Sequence, residues 1–404
     1  MKQILWIIVL ALALAAGIVM TLAPLQGNAA KSPTFRPATG SPIPAGPMAG
    51  EPAIGDCNND GHPDIIVACG TCCGSRPSPQ SGHVLVLLGD GKGGFTRAGG
   101  SPIPVGPSVR KVALGDLNGD RNLDIAVAQH DSYEVVILLG DGKGGFRPAP
   151  TSPVTAARGP RAHTHDIVIG DVNGDHKPDV LTTNAGDNTI SVLLGDGKGG
   201  LAPAEGSPVP AGRHPYDVVA LHDVNGADRP DNITPNLRGN AVSVLLGNGR
   251  GGFAPATGSP FPLGPRPGYV TVADFNRDGK PDIVATHDDD PLMAVLLGDG
   301  KGGFAPAPAS PLKTAHPVWG TAAGDLNGDG HPDLALGTSN GNFGILIMLG
   351  DGKGGFAPAA GGPLPAGGQP GYVAMADLNK DGKLDVVSGN YGSGDVTVLL
   401  NVTR

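Results

Sequence analysis

Asp325-Leu326-Asn327-Gly328-Asp329-Gly330-His331-Pro332-Asp333, running straight into the apolar Leu334-Ala335-Leu336, is the stretch that decides the fold. The pattern Asp-x-Asn-x-Asp-x-x-x-Asp also begins at Asp56, Asp116, Asp171, Asp274 and Asp377, and a damaged copy begins at Asp223. The seven starts lie 60, 55, 52, 51, 51 and 52 residues apart. A second motif, LLGDGKGGF, alternates with the first at Leu87–Phe95, Leu138–Phe146 and Leu296–Phe304, with variants at Leu193–Leu201, Leu245–Phe253 and Met348–Phe356. A fixed period of this length marks a repeat architecture.

Each unit parses into four short strands. In the fifth, Val270–Ala273, Ile283–Thr286, Met293–Leu297 and a last strand near Phe304 are separated by the acidic loop and by the turn Gly298–Gly303. Four strands per repeat of this size is a propeller blade, so the expected fold is all-β, a seven-bladed β-propeller over residues 31–404 as a single domain. The seventh unit ends at Leu400-Asn401 without a GDGKGGF turn or a fourth strand, whereas Phe35–Gly46 parallels Phe95–Gly106. The N-terminal strand is therefore expected to complete the last blade, closing a ring with no open sheet edge.

The acidic loops have the chemistry of a calcium site. Oxygen side chains at positions 1, 3, 5 and 9 with a carbonyl near 7 can wrap a cation that takes six to eight oxygens, and glycine at position 6 permits the turn. An apolar residue at position 12 and a following strand exclude the EF-hand version. The predicted ligands are Asp56, Asn58, Asp60 and Asp64; Asp116, Asn118, Asp120 and Asp124; Asp171, Asn173, Asp175 and Asp179; Asp223, Asn225 and Asp231; Asp274, Asn276, Asp278 and Asp282; Asp325, Asn327, Asp329 and Asp333; and Asp377, Asn379, Asp381 and Asp385. Three carboxylates per loop concentrate more than half of the 37 acidic residues in these seven turns, and they would repel one another without a cation. The plain alternative is an Asp/Asn-rich turn without metal. Loops 1, 5, 6 and 7 keep Gly61, Gly279, Gly330 and Gly382, loops 2 and 3 carry Arg121 and His176 instead, and loop 4 has Ala227 at position 5 beside Asp228.

The alternation of GDLNGDGHPDLALG with VSVLLGDGKGGF resembles the FG-GAP/VCBS repeat family, over about residues 35–404. That resemblance implies an integrin-alpha-like, calcium-binding propeller and a role in adhesion or glycan binding. It does not imply one ligand.

Strand parity places the acidic loops and the GDGKGGF turns on one face of the ring. On the other face fall all five tyrosines (Tyr133, Tyr216, Tyr269, Tyr372 and Tyr391) with Trp319, His130, His163, His165, His214, His287, His316, Asp288 and Asn390. Polar-tipped aromatics on one surface suit recognition of a sugar or a protein, although exposed loops also gather such residues. Tyr216, Tyr269, Trp319 and Tyr372 are the expected ligand contacts, for a glycan or an extracellular protein. No nucleophile motif or cofactor loop is present, so a binding module is expected rather than an enzyme. The competing reading is a lyase or hydrolase acting on polysaccharide through His163, His165 and Asp166. Phe35, Phe95, Phe146, Phe253, Phe304 and Phe356 hold one repeated position and read as core.

With a formal net charge of −9 the chain lacks the basic face that nucleic acid requires. Aromatics are 4%, so Val, Leu, Ile and Ala must build the core. Residues 1–30 carry Lys2, an apolar run and Gly27-Asn28-Ala29, which reads as a secretory signal peptide, or alternatively as an N-terminal membrane anchor. Either places the body of the chain outside the cytosol, secreted or extracytoplasmic. Disulfides are expected there. Cys69, Cys72 and Cys73 are close enough for one local bridge, while Cys57 sits at the far end of a strand and is expected to stay unpaired.

Overall fold

The computed structural model describes residues 31–70, 82–159, 161, 163–217 and 220–404. The signal segment 1–30 and the bridge candidates Cys72 and Cys73 lie outside the described residues.

The described part is all-β: seven antiparallel sheets whose innermost strands neighbour one another in an unbroken circle. The closing contact joins Ala49–Gly55 of the first blade to Tyr372–Ala376 of the seventh. Phe35–Pro37 pairs with Asp395–Asn401, in the register Phe35 to Asn401, so the N-terminal strand supplies the outer edge of the last blade as expected.

The core is divided into seven clusters, one between each pair of adjacent blades. This explains why every second strand, such as Asp64–Cys69 (DIIVAC) or Asp333–Thr338 (DLALGT), is buried along its whole length. A strand with a blade on either side has no solvent face, so it reads as an apolar run instead of an alternation. The repeated phenylalanines are half-buried and pack against these clusters from the outer edge.

Six blades add a short fifth strand, which the four-strand reading did not include. After the fourth strand, Ile103–Gly106 and its counterparts return to pair with the other half of the third strand. The serine of each Ser-Pro turn makes the join, accepting a main-chain N–H through its Oγ: Val86 on Ser101, Ile137 on Ser152, Val192 on Ser207, Val244 on Ser259, Val295 on Ser310 and Val398 on Ser41, at 2.8–3.0 Å. Blade 6 has Gly361-Gly362-Pro363 there instead and forms only four strands.

Candidate functional site

The two motifs meet on one face. In five blades the GDGKGG-type turn donates a hydrogen bond to the acidic loop of the preceding blade, as in Gly144 N to Cys57 O (3.2 Å) and Gly199 N to Leu117 O (2.9 Å). Within each loop the position-1 carboxylate caps the turn: Asp325 accepts from Gly328 N, Asp329 N and Gly330 N at 2.7–3.2 Å. Position 6 is left-handed in all seven loops, including Arg121 (φ 70°), His176 (φ 63°) and Asp228 (φ 54°), where a side chain is strained.

The ninth-position aspartates carry a second role that spacing did not reveal. Asp64, Asp124, Asp179, Asp231, Asp282, Asp333 and Asp385 are fully buried. Each accepts one N–H from position 2 of its loop and one from the end of the third strand. In Asp333 these come from Leu326 (3.0 Å) and Gly350 (2.9 Å). The damaged loop keeps this staple through Val224 and Gly247 on Asp231. Burial raises the pKa of Asp124, Asp333 and Asp385 to about 6, with nearby loop carboxylates adding to the shift.

Positions 1, 3 and 5 gather oxygen donors of the kind a hard cation takes. Asn327 Nδ2 lies 2.9 Å from Asp329 Oδ2 and Asp329 N donates to Asn327 Oδ1 at 2.9 Å. Among the described residues no loop brings three carboxylates within 4.8 Å of one another. The ninth oxygens, each holding an N–H, retain a second lone pair. The donor set thus fits in chemistry at positions 1, 3, 5 and 9, where the oxygens also accept main-chain N–H groups. Cys57 is one of the buried free thiols; it donates to Asp64 at 2.9 Å and its pKa is pushed up by burial.

The opposite end of the ring is built by a repeated irregularity. Five inner strands carry a β-bulge near their start, between Ala49 and Pro52, Val109 and Lys111, Thr164 and Ile167, Pro267 and Tyr269, and Val318 and Thr321. A bulge re-aims side chains, and here buried polar groups collect beside it. Lys111 Nζ lies 3.0 Å from Glu51 and 2.9 Å from Asp166. Burial pushes both carboxyl groups up, while the lysine remains charged because the two acids outweigh its own desolvation. Asp217, also raised by burial, faces Arg110 at 3.6 Å and His165 Nδ1 at 3.5 Å.

Four histidines converge next to this network. His130 follows the second strand of blade 2, His163 and His165 open the inner strand of blade 3, and His214 belongs to blade 4. Ring centroids lie 4.4 Å apart for His130–His163 and His163–His165, 4.8 Å for His130–His165 and 5.6 Å for His163–His214. His165 Nε2 is 2.6 Å from His163 Nε2. Burial lowers the pKa of His163 to about 4 and that of His165 well below its usual value, helped by neighbouring histidines and Arg110. Both shifts favour the neutral imidazole. Beside them opens a pocket of about 400 Å³ lined by His163, His214, Asn188, Arg161, Arg213 and Arg238.

The four expected ligand contacts do not form one open platform. Tyr269 and Tyr372 are each 4% exposed and pack at 5.8 Å against each other. They pack into the wall of the ring, Tyr269 beside the bulge of its strand and Tyr372 on a strand without one, and they offer no face for stacking. Trp319 is half-buried beside Tyr372 and Tyr391, with Nε1 donating to Asp288 at 2.6 Å. Tyr216 stands apart and packs on His165 at 4.0 Å. His287 and Asn390 are structural: His287 bonds the carbonyls of Leu263 and Leu292, and Asn390 bonds Asp395 and Thr397. Asp166 is turned to Lys111, so the expected His163–His165–Asp166 trio is not one cluster. The sequence reading missed Phe343, 45% exposed and stacked on His316 at 3.9 Å. Its place outside the repeated phenylalanine position was the available signal.

Fold and site together define a closed seven-bladed propeller with stapled acidic loops on one face and a histidine–tyrosine cluster on the other. The FG-GAP-like repeat model matches at residues 56–127, 116–182, 223–285, 274–336 and 325–388, so the chain belongs to that family. No curated protein matches it. Among solved structures it is similar to an Agrocybe aegerita lectin that recognises non-reducing terminal N-acetylglucosamine (19% identity, TM-score 0.52, 87% of this chain and 85% of that one). It is also similar to the BP39L lectin of Burkholderia pseudomallei (15%, 0.56, 92% and 98%) and to virginiamycin B lyase of Staphylococcus aureus (13%, 0.53, 91% and 98%). At these identities the likeness is one of fold.

Proposed function

We propose that this protein is an extracytoplasmic, calcium-binding propeller that acts as a non-catalytic binding module for a glycan. The observation that carries this reading is the gathering of partly open rings at the end of the ring opposite the acidic loops. Tyr391, Tyr216 and the His316–Phe343 stack lie in loops of that end, and Trp319 stands at the start of the inner strand Val318–Gly324 beside them. Aromatic faces framed by hydrogen-bonding groups suit sugar rings. The lectins that share the fold add support, and the commitment of Asp166 to Lys111 weighs against an acid–base site there. Calcium at positions 1, 3 and 5 of the loops would neutralise the clustered carboxylates and hold neighbouring blades in register, away from the ligand.

The test is a glycan array read in calcium and again in chelator. Saturable binding that Phe343→Ala and Trp319→Ala weaken is expected, with Phe343→Ala leaving the melting temperature unchanged because that ring is exposed. No glycan bound in calcium, or turnover of a polysaccharide that His163→Ala abolishes, would overturn the reading.

A further inference from the structure

We propose that His130, His163 and His165 form a transition-metal site, of the kind that takes Zn²⁺, whose open position faces the arginine-lined pocket and accepts an oxyanion. Their ligand atoms lie within 4.8 Å of one another, the only such group of His, Cys, Asp or Glu among the described residues.

Three features argue for a built site. The first is distance. A tetrahedral ion with metal–nitrogen bonds of about 2.05 Å spaces its ligands about 3.3 Å apart. His163 and His165 Nε2, at 2.6 Å, need only separate by about 0.7 Å to admit one. Without an ion, two neutral ring nitrogens at this spacing are confined to a single shared proton.

The second feature is orientation. Metal-bound histidines commonly present their other ring nitrogen to a carboxylate, which sets the tautomer. His130 Nδ1 is 2.7 Å from Asp131 Oδ1, and Asp131 is itself held by Ser108 Oγ at 2.5 Å. His165 Nδ1 is buried without a hydrogen-bond partner, and the Asp217 carboxylate is 3.5 Å away. A small rotation toward Asp217 would satisfy Nδ1 and leave the Nε2 lone pair for a metal. The backbone sets the cluster firmly: Thr164 N donates to His130 O at 2.9 Å, tying the blade 3 pair to the blade 2 ligand.

The third feature is access. His130 and His165 are 1% and 2% exposed, but His163 is half-buried and lines the pocket. Arg161, Arg213 and Arg238 are exposed around its mouth, and among the described residues no carboxylate lies within ion-pair distance of them. Three uncompensated guanidinium groups beside a site with one coordination position open select an anionic oxygen ligand. A phosphate and a sugar carboxylate share that chemistry. The assignment does not depend on the glycan reading, since metal binding is measured without any glycan.

The experiment uses the purified, metal-stripped protein in excess calcium, which occupies any loop sites. Titration calorimetry with Zn²⁺ alone should show one saturable site, weakened in His163→Gln by at least the roughly 10–100-fold that loss of an outer-shell partner costs. Co²⁺ in its place should give the visible bands of a nitrogen-ligated ion of low coordination number. Inorganic phosphate and glucuronate are then added in separate arms. A spectral shift in either arm, lost in the Arg161→Ala/Arg213→Ala/Arg238→Ala variant while Zn²⁺ binding persists, identifies the anion and its source. His163→Gln alters a half-exposed ring, and its melting curve in calcium checks that the fold survives. Zn²⁺ binding that is absent, or undiminished in folded His163→Gln, overturns the metal site; bands indifferent to both anions overturn the anion position.

Discussion

Replacing Lys111 with methionine should destabilise this propeller more than any surface change of similar size. The ammonium sits between Glu51 at 3.0 Å and Asp166 at 2.9 Å, and Asp166 is fully buried. At an effective dielectric of about 20 each contact is worth about 5 kcal/mol of attraction, much of it offset by the desolvation of all three groups. Methionine keeps the stem but leaves two carboxylates facing each other. Removing one partner of a buried pair typically costs about 3–5 kcal/mol. The loss should shrink as pH falls: both carboxyl pKa values are already raised by burial, and without the lysine they rise further. A group with a raised folded-state pKa takes up its proton more readily when folded, so its contribution favours the fold at low pH and is lost as pH rises. Denaturant unfolding of Lys111→Met and of Lys111→Met/Glu51→Gln/Asp166→Asn measures this. The triple variant should recover most of the loss at neutral pH. A loss for Lys111→Met below about 1 kcal/mol, the size expected of an exposed pair, would refute the buried-network account.

Three further outcomes follow from the stapled loops and the closure. In chelator, the raised pKa of Asp124, Asp333 and Asp385, about 6 against an ordinary 3.8, gives stability present below 3.8 and lost as pH rises through about 6. Melting temperature should therefore fall across that window, and calcium should flatten the fall. Asp329→Ala in loop 6 should reduce the calcium response more than Asp228→Ala in loop 4; a melting curve indifferent to chelator would remove the calcium reading. Deleting residues 32–46 strips Thr34 from Val402 and Ser41 from Val398, and uncovers two of the seven core clusters. That protein should aggregate or lose cooperative unfolding on size exclusion and calorimetry, and a soluble truncation with unchanged melting would contradict ring closure.

The architecture was legible because its signals are local and repeated. Seven copies of one strand–loop–strand pattern, and a terminal blade whose missing edge appears near Phe35, leave little freedom in how the chain can close. The Ser-Pro turns were visible as letters, but their job was not. That Ser101 Oγ takes the N–H of Val86 depends on a return strand 15 residues away, which spacing alone does not place.

The end of the ring that carries the candidate site was legible in membership and not in arrangement. Parity put His130, His163, His165, Tyr269 and Tyr372 on the correct side, because which strand a loop follows is a property of order along the chain. Which of them are open and which are buried was decided by packing between blades and, at Tyr269 and the His163–His165 pair, by the bulges of their inner strands, since a bulge shifts the facing of side chains beside it. Tyr269 and Tyr372 thus became wall, and Asp166 met Lys111 instead of its neighbour His165. The grouping of His130 with His163 and His165 joins different blades across about 30 residues of chain. The repeat, the closure and the face of each loop depend on residue type at fixed spacing and so could be read from the chain alone. Which histidines touch, which carboxylates bond the backbone and where the arginines open a pocket follow from packing between blades, which no local spacing encodes.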